Sequence, residues 1–250
     1  KEVLTTQEAK DGLNAAIESA NKAVSEGLTL EVYNEQVAGL NAAIKAGQEA
    51  IDAATALEKR NDNHNDKLTS VGEESYDAYV DTDGFAELEK VVLEIEGKIS
   101  GEGIFASMEE IDDYNAKINK AYTKMVSGVI DFSTASKDAP VDATGLIITP
   151  GFQTRTFNET TQVWEDASSS DGWTATGGTA TSGLNYEIFN DTAGIHQKLY
   201  NMPAGYYRLV YNGFYRAGDI TPAALSRREG VEPLNAQVYL DGNESKWNKN

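Results

Sequence analysis

Apolar residues recur three and four positions apart through the first half of the chain, and the pattern ends near residue 128. Leu13, Ile17, Ala20 and Val24 form one helical stripe. Thr5 and Glu8 before it have capping-box spacing, and Gly27 after it is a C-terminal stop. A second helix is predicted from about Thr29, with Tyr33, Val37, Leu40, Ile44, Ile51 and Ala54 on its stripe. The run Asn61-Asp62-Asn63-His64-Asn65-Asp66 is expected to interrupt it, because short polar side chains compete for the backbone. The pattern then resumes. Thr82 precedes Phe85, Leu88, Val92, Ile95 and Ile99, and Ser107 with Glu110 opens Ile111, Tyr114, Ile118, Ala121 and Met125. Leu40-Asn41-Ala42-Ala43-Ile44 is echoed by Tyr114-Asn115-Ala116-Lys117-Ile118, so these elements read as two related helical hairpins.

Beyond residue 128 the grammar changes to two-residue alternation among Gly, Thr, Tyr and Trp. Candidate strands are Val129–Phe132, Leu146–Phe152, Thr160–Trp164, Gly172–Thr176, Leu184–Phe189, Gly194–Leu199, Tyr206–Arg216 and Ala236–Leu240. Their shortness, and the Gly, Asn, Asp and Ser clusters between them, predict an antiparallel sandwich. The expected organisation is therefore multidomain, α then β. Helical hairpins span 1–128, a linker spans 129–145, and a β-sandwich spans 146–250.

Charge narrows the partners. The chain has 250 residues and a net charge of −19. Residues 1–130 hold 12 basic and 26 acidic groups (−14), leaving 9 and 14 (−5) for 131–250. Such a surface is repelled by phosphate backbones and anionic lipid, which speaks against nucleic acid and membrane-surface partners. No run has the roughly 18 apolar residues of a membrane span. Cysteine is absent, which removes disulfides, thiol nucleophiles and zinc–thiolate sites.

Catalytic patterns find little support. His64 and His196 lie in different halves, and no Gly-x-Ser-x-Gly elbow occurs. His64 reads as solvated in a polar loop. Glu165, Asp166 and Glu187 are the carboxylates nearest the aromatics, without a glycosidase pattern around them. Asp81-Thr82-Asp83-Gly84 starts like a calcium loop but lacks the later ligands, and reads as a helix cap. Aromatic recognition remains. Sugar rings stack their C–H faces on Trp or Tyr while Asp, Asn and Arg bind hydroxyls, so Trp164, Trp173 and Tyr186 with Asp191 or Arg216 are the candidate ligand-binding residues. The competing reading places Trp173 and Tyr186 in the sandwich core, with Trp164 exposed beside Glu165 and Asp166. The helical tyrosines read as inter-helix packing.

Two resemblances extend this. Leu13-Asn14-Ala15-Ala16-Ile17 and the Tyr33…Ile44 spacing resemble the FIVAR modules of bacterial surface proteins, which implies a spacer or adhesive role for the helical half. Pro150-Gly151-Phe152, Gly172-Trp173-Thr174, Ile195–Leu199 and Pro203–Leu209 are similar in order to galactose-binding-like jelly-roll domains of gut Bacteroidetes surface glycan-handling proteins. That family continues past the equivalent of Val238–Gly242, so the sandwich is expected to be truncated at Asn250. Its members often hold a structural calcium, for which no ligands are assignable in this sequence. Together these imply an extracellular, cell-surface or periplasmic protein that binds glycan or surface polysaccharide without catalysis. The alternatives are a structural or adhesive protein-binding module and an accessory fragment of a larger glycoside hydrolase. The sequence does not specify an oligomeric state.

Overall fold

A computed structural model describes residues 4–101, 103–177, 180–182, 185–188 and 193–213. Residues 1–204 form one compact unit and 205–250 a second. The first unit is helix-rich, with small strands following. Its elements are β1 (Thr5–Thr6), α1 (Gln7–Glu26), α2 (Leu30–Thr69), α3 (Asp83–Ser100), β2 (Ile104–Phe105) and α4 (Met108–Ser127). The short strands β3 (Gln153–Asn158), β4 (Val163–Ser168), β5 (Thr174–Thr176), β6 (Ala180–Ser182), β7 (Asn185–Glu187) and β8 (Gly194–His196) come after them.

Each helix starts on a hydroxyl cap. Thr6, Thr29, Thr82 and Ser107 accept from the backbone N–H three residues on, which satisfies a donor that the helix cannot. The first cap is Thr6 and not Thr5, because Thr5 and Thr6 pair in parallel with Ile104 and Phe105. Gly27 ends α1 at φ 94°.

The expected break at Asn61–Asp66 does not occur; α2 runs unbroken for 40 residues, a length of about 60 Å at 1.5 Å per residue. Tertiary contacts override the local preference. Asn61 is buried and its Nδ2 donates to the Val92 carbonyl at 3.2 Å, while His64 is buried against Tyr76. The long helix serves two neighbours. Across the Gly27–Thr29 turn, α1 folds back along its N-terminal half. Its C-terminal half supplies Ala54 and Leu57 to a core with Leu88, Val92 and Ile95 of α3 and Ile111, Ile118 and Met125 of α4. Each fully buried aliphatic of this set contributes about 1.5–3 kcal/mol.

The segment 129–145, expected as a linker whose first residues pair as a strand, instead forms short 3-10 turns at Phe132–Thr134 and Thr144–Leu146. Ile130, Phe132 and Ala143 lie against the bundle core and Leu146 is fully buried in it. Leu146–Phe152 is likewise not a strand. The Gln197 side-chain amide takes both backbone groups of Ile148, receiving its N–H at 2.8 Å and donating to its carbonyl at 3.0 Å, as a neighbouring strand would.

The strands pair as separate two-stranded ribbons. Antiparallel β3–β4 sets Phe157 opposite Trp164, and β5–β8 brackets β6–β7. Over the described part of the expected Tyr206–Arg216 strand, residues 206–213, no strand is formed. Residues 214–216 and Ala236–Leu240 lie outside the described residues. No described helix is long and apolar enough to cross a membrane.

Candidate functional site

Two constellations lie at the junction of the helices and the strands. The first is polar and sealed. Arg60, Asn61 and His64 lie within little more than one turn of α2, with Asn61 and His64 continuing the Ala50–Ala54–Leu57 stripe. Arg60 Nη1 donates to Asn115 Oδ1 at 3.0 Å and to the Asn115 carbonyl at 3.2 Å, and its Nη2 donates to Asn119 Oδ1. Its Nε lies within ion-pairing range of Asp171 Oδ1, though without an aligned hydrogen bond. His64 Nδ1 is hydrogen-bonded to Tyr76 Oη at 2.9 Å, and its Nε2 lies 3.8 Å from Asp171 Oδ2. The rings of Tyr76, Tyr79, Tyr122 and His64 pack at centroid separations of 6.0–6.2 Å.

Asp171 arrives from the turn between β4 and β5, which is tightly built. The Thr149 hydroxyl donates to the Asp171 carbonyl at 2.6 Å, and Asp171 N–H donates to Ser169 Oγ at 3.1 Å. The next residue, Gly172, has φ +78°, and a Cβ there would sit 2.6 Å from Ile148 Cβ, so only glycine fits. The turn is thereby pressed onto Ile148 with the Asp171 carboxylate turned toward α2.

Burial dominates the electrostatics. It pushes His64 down from 6.5 to about 3; Arg60 and Lys67 push the same way and Asp171 opposes them. Burial also raises the Tyr122 phenol to about 12, lifts Tyr76 well above its ordinary value, and lowers Arg60 against the pull of Asp171. His64 is therefore neutral, and the groups are of acid–base type but closed to solvent. What this arrangement does is latch the Ser169–Trp173 turn to α2.

A pH dependence follows. An unfolded chain takes up a proton on His64 near pH 6.5, whereas the folded chain refuses it until about pH 3. The stability held by neutral His64 is complete above pH 6.5 and falls as pH drops toward 3, at up to about 1.4 kcal/mol per pH unit. The stability gap between the parent chain and His64→Gln, measured by urea unfolding, is expected to narrow by about 2 kcal/mol or more between pH 7 and pH 4.

The second constellation is aromatic. Phe152 has ring centroids 5.1 Å from both Trp173 and Tyr186, and Trp173 Nε1 donates to the Thr149 carbonyl at 3.3 Å. The structure thus brings Trp173 and Tyr186 together as packing around Phe152. Trp164 lies apart from them on β4, its ring 5.7 Å from that of Phe157. It was expected to be exposed and is half-buried, with Phe157 packed against it at a tilt of 59°. Polar groups line both faces of this ribbon, Arg155 and Asp166 on the Trp164 side, Asn158 and Glu165 on the other. Arg155 Nη2 donates to the Trp164 carbonyl at 2.8 Å and the same guanidinium pairs with Glu74 and, at 3.3 Å, Asp166. Glu165 Oε1 accepts from Asn158 Nδ2 at 2.9 Å and from the Thr161 hydroxyl at 3.2 Å. Asp191 and Arg216 lie outside the described residues. Among the described residues no three His, Asp or Glu side chains gather as a metal site.

The polar latch was missed from sequence because His64 was read as a solvated loop residue; it is in fact buried. A signal for it exists. Ala50, Ala54, Leu57, Asn61 and His64 keep the four–three spacing of a buried helix face straight through the polar run. No family model, no curated protein and no solved structure matches this chain.

Proposed function

We propose that this chain is a non-catalytic carbohydrate-binding module on a helical spacer, acting at a bacterial surface, with the strand-rich part belonging to a galactose-binding-like sandwich. The observation that supports this reading is Trp164. The Phe157 ring packs against its indole at a tilt, it keeps partial access to solvent, and the Arg155 guanidinium and Asp166 carboxylate share its face of the ribbon. A supported aromatic face with hydroxyl-binding groups at its edge is what a sugar ring requires. Trp173 and Tyr186 serve this site as framework, since Phe152 and the Thr149 carbonyl engage them.

The test is a glycan array probed with the 250-residue chain and with Trp164→Ala. Binding is expected in the parent and at least about tenfold weaker in the variant, a loss of about 1.4 kcal/mol. A folded parent that binds no glycan, or a variant that binds as well as the parent, would overturn the reading.

A further inference from the structure

The arm formed by α1 and the first half of α2 has an apolar face that nothing described covers. The seam between the two helices holds Leu13, Ala16, Ala20 and Ala23 on α1 and Val32, Leu40, Ala43 and Gly47 on α2, all partly buried. Five further apolar residues lie beside this seam. Ile17, Val24, Tyr33, Val37 and Ile44 are all exposed, Ile44 at 58%. At about 100° per residue, Ile17 and Val24 sit some 70° to one side of the α1 seam, and Tyr33, Val37 and Ile44 some 80° to the same rotational side of the α2 seam. Because α1 and α2 run antiparallel, those two offsets open onto one common side of the arm. The related hairpin α3–α4 shows what such a face requires. Ile118, the counterpart of Ile44 in the echoed motif, is 0% exposed in the core shared by α2, α3 and α4.

We propose that the covering partner is a second copy of this chain, the two arms packing face to face as a four-helix bundle. The distribution of charge points to it. The rim of the apolar face is made of amides, namely Asn14 and Asn21 on α1 and Asn34, Asn41 and Gln48 on α2. The carboxylates between residues 7 and 49, such as Glu18 and Glu35, fall on the other faces. In a chain of net charge −19, this is the side on which a like-charged copy meets no opposing acid. The size also suits. An arm about 30 Å long and about 20 Å wide offers roughly 600 Å² per copy, about 1,200 Å² for the pair, the lower end of stable interfaces. Added salt screens the general repulsion between copies without breaking interfacial ion pairs, so association tightens with ionic strength.

Sedimentation velocity of the whole chain across micromolar to near-millimolar concentrations tests this. The expected result is a shift from monomer to dimer with rising concentration, stronger at higher salt. Ile44→Glu places a charge on the apolar face and is expected to weaken dimerisation at least about tenfold. Ala46→Glu adds the same charge on the far side of α2 and should leave it unchanged. A chain that stays monomeric throughout, or two variants that weaken dimerisation equally, overturns the proposal.

Discussion

Asp171→Ala is expected to destabilise the first unit by about 3–5 kcal/mol, the cost of breaking a buried ion pair from one side. Arg60 supplies the reason. Its guanidinium has no water to return to, since its side chain is 8% exposed, and Asn115 and Asn119 offer it hydrogen bonds but no negative charge. The loss propagates through the turn, because the Asp171 backbone also accepts the Thr149 hydroxyl and Gly172 presses on Ile148. Urea unfolding followed by far-UV circular dichroism gives the size of the effect. The double variant Arg60→Met with Asp171→Leu removes both charges together and is expected to recover most of the stability. A single variant that costs under about 1 kcal/mol would show that the pair behaves as a surface salt bridge.

Gly84→Ala is the second large effect. Gly84 is buried in the first turn of α3, where α3 meets α4. A Cβ there would lie 2.6 Å from the Lys124 carbonyl carbon and closer still to the Met125 N and Cα, all backbone atoms that cannot swing away. The two helices must separate, at about 3 kcal/mol or more given the usual range for overpacking. For a chain of this size that lowers the melting temperature by roughly 6–12 °C. Gly39→Ala is the control. Its site in α2 has nothing within 4 Å, so the same methyl group is expected to stabilise by about 0.5–1 kcal/mol. If both variants lower the melting temperature alike, the close approach at Gly84 is not what selects glycine.

The helical half was largely legible because its determinants are local. Hydroxyl caps at Thr29, Thr82 and Ser107, the glycine after α1 and the buried stripes of α3 and α4 each act within one turn of chain and are found where the spacing places them, whereas Ile17, Val24, Tyr33, Val37 and Ile44 of the first two stripes are exposed. The exceptions are places where distant residues intervene. Thr5 looks like a cap until Ile104 takes it into a parallel pair, and Asn61–Asp66 looks like a break until Val92 and Tyr76 satisfy its side chains. In the strand-rich part the determinants are mostly distant. Nothing near Ile148 in sequence announces that the Gln197 amide will stand in for a strand. The candidate site was legible by residue type, Trp beside carboxylates, but its support on Phe157 required the β3–β4 register. The latch was hidden because half of it, Asp171, joins from more than a hundred residues away.

The small parallel ladder between Thr5–Thr6 and Ile104–Phe105 has a consequence for the order of assembly. It joins the entrance of α1 to the exit of α3, so closing it holds α1, α2 and α3 in a single loop. Entropy makes such a long closure unfavourable until the segments between have already been ordered by their own short-range contacts. The two hairpins are therefore expected to form first, each from neighbours in sequence, with the ladder closing as a late step.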